Sequence, residues 1–170
     1  MPFARPPHRE LPEDPGPNAR LEMCELAVAD DEWMAASRIE IDRPGPSYTA
    51  DTLAELHDRS PDDELVLILG GDQAASLPGW HEPERVLALA TVATVPRSGW
   101  SRERIAEKVA SLQGADRVRF FEMPRVDVSS SLVRDRAARG EPIRYLVPDK
   151  VAAYIDSHSL YGASTPVGAD

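Results

Sequence analysis

Cysteine is nearly absent. Cys24 is the only one in 170 residues, so no disulfide can form within the chain and no zinc site can be built from thiolates. A lone thiol suits a reducing compartment, and the sequence lacks both a run of about 18 apolar residues and the apolar stretch of a secretory signal. A cytoplasmic location is therefore expected, with no membrane partner. Basic residues are scarce as well: 19 Lys and Arg stand against 29 Asp and Glu, a net charge of −10 at pH 7. A field of that sign repels polyanions and argues against nucleic acid as a partner, so any phosphate site has to be made locally. The phosphate-binding loop of the Walker type, the Gly-x-Gly-x-x-Gly fingerprint and the Gly-x-Ser-x-Gly elbow are all missing. His8, His57, His81 and His158 are not spaced as metal ligands and none stands beside Cys24, which disfavours a metal site built from protein side chains.

What is present suits a folded protein. Hydrophobic residues make up 42% and charged residues 28% of the chain, and the length fits one domain of the usual size, about 100 to 150 residues. Six of the 16 prolines fall in the first seventeen residues, which rules out a helix or central strand there. Apolar spacing predicts a helix over 18–30 capped by Asn18, then a strand over 33–41 ending in Ile39 and Ile41. A helix capped by Ser47 or Thr49 follows to residue 59, and the unbroken apolar run 65–69 reads as a strand buried on both faces. Helices over 82–89 and 101–113 alternate with strands over 91–95 and 117–121; a short extended piece at 126–128 precedes helices over 131–139 and 148–157. Strands alternating with helices imply an α/β fold, a doubly wound Rossmann-like parallel sheet with extra helices at the C-terminus. Residues 162–170 read as a loose tail.

In open α/β sheets ligands bind beyond the carboxyl ends of the strands. Four clusters follow apolar runs: Asp42-Arg43 through Ser47-Tyr48-Thr49, Gly70-Gly71-Asp72, Arg97, and Ser129-Ser130-Ser131 with Arg134. Three hydroxyls at a helix start offer free backbone N–H groups and the positive end of a helix dipole, an anion site; serine there can equally be a plain N-cap. Arg134 favours the anion, because a cation in a first helical turn opposes the dipole unless a negative group sits beside it, and Asp135 offsets this only in part. Gly70 lets a ligand approach the backbone and Asp72 can accept from a ribose diol, or the pair is a tight turn. Trp80 can stack on a planar ring or sit in the core, and His8-Arg9 can reach an anion or remain solvated.

Taken in order and spacing, Ser47-Tyr48-Thr49-Ala50-Asp51-Thr52-Leu53, Gly70-Gly71-Asp72, Leu77-Pro78-Gly79-Trp80, Arg97-Ser98-Gly99 and Val128 through Arg134 resemble bacterial nicotinate mononucleotide adenylyltransferases. Pro6-Pro7-His8-Arg9 looks like that family's Pro-Pro-His-Lys/Arg segment, and Tyr145 through Pro148 to Leu160-Tyr161 looks like its C-terminal signature. The resemblance implies transfer of AMP from ATP to nicotinate mononucleotide, giving nicotinate adenine dinucleotide and pyrophosphate, with Mg2+ accompanying the ATP. It also implies roles: Ser129, Ser131 and Arg134 on ATP phosphates; Gly70 and Asp72 on the nucleotide sugar; Tyr48, Thr49, Trp80, His81 and Arg97 around nicotinate mononucleotide; His8 and Arg9 facing the reacting phosphates. Ser98 stands where the family usually has proline. Members begin with a strand and a Gly-Gly-Thr-Phe-Asp-Pro-x-His-x-Gly-His loop, expected here upstream of Met1, so residues 1–161 are expected to be a nucleotidyltransferase domain lacking its first strand, loop and helix. The alternative is a noncatalytic nucleotide-binding or regulatory remnant of that family.

Overall fold

A computed structural model describes residue 2 and residues 14–96, 99–124 and 126–162. In chain order the elements are α1 (Pro17–Val28), α2 (Thr49–Arg59), β1 (Leu65–Gly70), α3 (Gly71–Ser76), α4 (Pro83–Leu89), β2 (Ala90–Val95), α5 (Arg102–Val109), β3 (Val118–Phe120), α6 (Ser130–Ala138) and α7 (Asp149–Ser157). They fall into two compact units, residues 48–125 and residues 1–47 with 126–170. Among the described residues no helix is long and apolar enough to cross a membrane.

The unit of residues 48–125 holds the sheet. Its strands run in the order β1-β2-β3, all parallel, with Leu65 paired to Ala90, Gly70 to Val95 and Val92 to Val118. Because side chains alternate along a strand, Leu65, Leu67 and Leu69 share one face with Ala90 and Val92. That face carries the core, in which Ala50 and Leu53 of α2, Val86 and Leu87 of α4 and Val109 of α5 close over the strands. The other face of β1 is bare: Val66 is 54% and Ile68 71% exposed. The expectation of a strand buried on both faces is thus corrected, and topology explains why. Parallel connections are right-handed, and two successive crossovers stepping in the same direction across a sheet lay their helices on the same face. Covering the opposite face takes crossovers stepping the other way from β1. The contrast is measurable: Ile105→Val, in a fully buried position, is expected to cost about 0.5–1.5 kcal/mol, while Ile68→Val changes the urea midpoint by less than about 0.5 kcal/mol equivalent.

Two short-range features were also unforeseen. Residues 71–76 form a helix where only a turn is expected, because Ala74 and Ala75 are small enough to bury completely or nearly so against Ile105. Glycine at 71 eases that packing, since a Cβ there would stand 3.1 Å from the Val95 carbonyl oxygen and 3.2 Å from Ile105 Cδ1 and its neighbours would have to give by a few tenths of an ångström.

In the unit formed by residues 1–47 and 126–170, residues 33–41 form no strand. Ile39 and Glu40 are both buried, and the Ile41 N–H donates to the Arg38 carbonyl at 2.7 Å, closing a turn where the spacing predicts a strand. Trp33 is 90% exposed beside an Asp31 carboxylate that accepts its N–H at 2.7 Å. A strand's backbone groups need a neighbouring strand, and among the described residues none pairs with this segment or with residues 126–128. Helix caps shift as well. Pro17 takes the first position of α1, so Asn18 lies inside the helix, and the Ser47 hydroxyl donates to the Glu40 carbonyl at 3.0 Å instead of capping α2. Val133 and Ala137 of α6 bury against Ile143, and against Val151 and Ile155 of α7. The α1 helix is tied to α7 by Lys150, whose Nζ lies 2.7 Å from Asp30, and by Tyr154, whose hydroxyl donates to Glu22 at 3.0 Å.

Candidate functional site

The serine cluster opens α6. Ser129 is its N-cap in extended backbone, and its Oγ accepts the Leu132 N–H at 3.1 Å. Ser129 therefore does what a plain cap does, satisfying one of the four free N–H groups of a helix start. The helix begins one residue earlier than the spacing suggests, so Leu132 holds the third helical position and Arg134 the fifth, just past the first turn. What returns Arg134 to the helix start is its side chain, which leans toward the N-terminus as helical side chains do, with Nη2 donating to Ser131 Oγ at 3.3 Å. Among the described residues no carboxylate lies within ion-pair distance of this half-exposed guanidinium. Ser129, Ser130 and Ser131 are all exposed. Hydroxyls, helix N–H groups and an unpaired guanidinium on one helix end are the donors an anion with several oxygens requires.

The remaining described candidates lie in the unit of residues 48–125. Gly70 ends β1 and stands directly before α3; the Asp72 carboxylate folds back so closely that a Cβ on Gly70 would stand 2.9 Å from its Oδ1. Glycine is what leaves that carboxylate its place at the strand's end, and Asp72 itself is exposed. Ten residues on, Trp80 is half-buried, one part of the indole packed on the core while its Nε1–H donates to Ser76 Oγ at 3.1 Å. The choice between core and stacking side chain resolves into both: a partly buried, hydrogen-bonded ring with surface to spare. His81 follows, exposed, with its ring 4.2 Å from that of Tyr48 at an interplanar angle of 33°. Tyr48 occupies the N-cap of α2 and Thr49 its first position, half-buried. Tyr48, Thr49, Trp80 and His81, remote in sequence, thus belong to one corner fixed by the Tyr48–His81 ring contact.

Sequence reasoning passed over the residues around this corner. Glu82 has a left-handed backbone, φ 50°, directly before Pro83. Its carboxylate accepts from Arg85 Nη1 at 2.7 Å, and Arg85 also stands 3.7 Å from Asp51 in the first turn of α2. The Arg85 hydrogen bond holds the Glu82 carboxyl below the usual carboxylate range, although both groups are solvent-exposed. The i,i+3 spacing of Glu82 and Arg85 is a readable signal for their pairing; nothing local announces the reach to Asp51. His8, Arg9 and Arg97 lie outside the described residues. No three His, Cys, Asp or Glu side chains converge as metal ligands among the described residues.

Comparison with known proteins gives a consistent result. The cytidylyltransferase-like family matches residues 1–136. The chain is 48% identical over 147 residues to the probable nicotinate-nucleotide adenylyltransferase of Roseiflexus sp. strain RS-1, covering 85% of this chain and 72% of that protein. It is 45% identical over 160 residues to the protein of the same name from Roseiflexus castenholzii, covering 91% and 80%. Among solved structures, the nicotinic acid mononucleotide adenylyltransferase of Plasmodium falciparum complexed with NaAD superposes with a TM-score of 0.66 over 95% of this chain and 80% of that one, at 17% identity. A likeness at that identity concerns the fold, and it supports the Rossmann-like α/β architecture.

Proposed function

We infer the chemistry from one premise: the chain belongs to the cytidylyltransferase-like family and, within it, to the nicotinate-nucleotide adenylyltransferases. It is a transferase that moves AMP from ATP to nicotinate mononucleotide. The phosphate oxygen of nicotinate mononucleotide attacks the α-phosphorus of ATP in line, the bond from that phosphorus to the β-phosphate oxygen breaks, and pyrophosphate departs with the electron pair. No covalent enzyme intermediate is needed, so the protein contributes placement of two anions and stabilisation of the charge that develops between them.

Individual roles are those the family resemblance implies. The exposed start of α6, with Ser129, Ser131 and the Arg134 guanidinium, takes the ATP phosphates. Gly70 and Asp72 take the nucleotide sugar, the carboxylate accepting from the diol. Trp80 stacks on the nicotinate ring, with Tyr48, Thr49 and His81 around its carboxylate. By the family resemblance, Arg97 faces the nicotinate nucleotide, and His8 and Arg9 face the reacting phosphates. Magnesium enters with ATP as the partner of its phosphates. It keeps several waters and asks one or two carboxylates of a protein beside the substrate phosphates; among the described residues no three His, Cys, Asp or Glu side chains converge as metal ligands. The reaction places the protein in the cytoplasm, where ATP is held.

The observation that carries this reading is the Tyr48–His81–Trp80 corner: Trp80 and His81 follow α3, their neighbour ring Tyr48 caps α2, and the indole is held by its N–H. Residues 1–161 are read as one nucleotidyltransferase domain, a reading supported by relatives of which the chain spans 72% and 80%. The test is pyrophosphate release from ATP plus nicotinate mononucleotide, and release that requires both nucleotides is expected. A folded protein that binds nucleotide but releases none would favour the noncatalytic reading.

A further inference from the structure

The two residues at the heart of the corner, Trp80 and His81, are held at both ends by side chains that have no part in the reading above. On one side Ser76, the last residue of α3, accepts the Trp80 indole N–H at 3.1 Å while its own hydroxyl donates to the Gln73 carbonyl at 2.8 Å. The serine proton is thereby committed to the helix, which leaves an oxygen lone pair aimed at the indole. On the other side Glu82 has a left-handed φ of 50°, a conformation that a non-glycine residue holds only where its surroundings fix it. Arg85 supplies that fixation, gripping the Glu82 carboxylate at 2.7 Å and standing 3.7 Å from Asp51 at the start of α2. The same α2 start presents Tyr48, whose ring meets His81. Residues 80–82 are therefore tied to α3 through the Trp80–Ser76 hydrogen bond, to α2 through the Tyr48–His81 ring contact, and to Arg85 of α4, which also stands beside Asp51 of α2.

We propose that Ser76 and Arg85 are positioning residues that hold the Trp80–His81–Glu82 segment in register and so set affinity for the pyridine nucleotide, not for ATP. The proposal rests on Trp80 and His81 receiving the nicotinate ring. Among the described residues Ser76 hydrogen-bonds to Trp80 and to Gln73 of its own helix, and Arg85 pairs with the carboxylates of Glu82 and Asp51, so both are argued to act through the segment. An indole with its N–H anchored presents one face at one tilt; released, it samples other rotamers, and the ligand has to meet the ordering cost on binding.

The variants are Ser76→Ala, Ser76→Thr and Arg85→Ala. Alanine is the better helix former, so Ser76→Ala, at an exposed position, does not unfold α3. Calorimetric dissociation constants are measured for nicotinate mononucleotide and for ATP separately, with dinucleotide formation by the unchanged protein assayed alongside. Ser76→Ala and Arg85→Ala are expected to weaken nicotinate mononucleotide binding three- to tenfold and to leave ATP binding within twofold; Ser76→Thr, which keeps the hydroxyl, restores the first. Unchanged nicotinate mononucleotide binding in Ser76→Ala, or equal weakening for both nucleotides, overturns the proposal. If the unchanged protein binds nicotinate mononucleotide but forms no dinucleotide, adenylyl transfer falls while the binding comparison still decides the clamp. If it does not bind that nucleotide at all, both fall.

Discussion

Arg134→Ala is expected to lower kcat/KM for ATP by about 100-fold, since a charged donor aimed at developing phosphate charge is worth roughly 10²–10³ in rate when removed. The fold should hardly notice. The side chain is half-exposed and its hydrogen bond among the described residues is the 3.3 Å contact with Ser131, so the change in stability stays within about 0.5 kcal/mol. Removing a cation near a helix start even favours α6 slightly, by up to a few tenths of a kcal/mol. Urea unfolding and steady-state kinetics on the same preparation separate the two quantities. ATP kinetics unchanged in Arg134→Ala would remove Arg134 from the phosphate site, and a collapse of stability would make its role structural.

The second large effect concerns Trp80. Aromatic stacking on a base is worth about 1–3 kcal/mol, so Trp80→Ala should raise the apparent KM for nicotinate mononucleotide by about 5- to 150-fold while that for ATP moves less than about twofold. Because the indole is half-buried against the core, alanine also costs some stability. Trp80→Phe addresses that by keeping an aromatic face while losing the pyrrole part of the indole and its N–H bond to Ser76; its KM should rise less than that of the alanine variant and at least as much as in Ser76→Ala. Equal increases for both substrates in Trp80→Ala would contradict stacking on the pyridine ring.

The sequence shows the parts that repeat and conceals those set by distant partners. The apolar run at Leu65–Gly70 and the β-branched stretch at Ala90–Val95 are strands because their patterns are strong, and both are found. The alternation of Ile39 and Ile41 was just as suggestive, but it is spent on a turn; a strand is made by its neighbour as much as by its own residues, and residues 33–41 have none among the described residues. The bare Val66 and Ile68 face follows the same logic, since an apolar run records that burial is favoured without recording whether a covering element is present.

At the site, residue types were readable and their restraints were not. Ser129 as a cap and Arg134 as an anion-seeking side chain follow from composition near a helix start, whereas the fold-back of Arg134 onto Ser131 depends on the helix beginning at Ser130. Trp80 signalled a flat surface. That Ser76 four residues earlier and Arg85 five residues later fix the segment becomes visible only when α3 and α2 are placed beside it.

The most direct test of adenylyl transfer follows the α-phosphorus. With ATP labelled at that atom and nicotinate mononucleotide in excess, the protein should move the label into nicotinate adenine dinucleotide, one pyrophosphate released per label moved. Label recovered as free AMP, or left in ATP while both nucleotides are bound, would contradict the account.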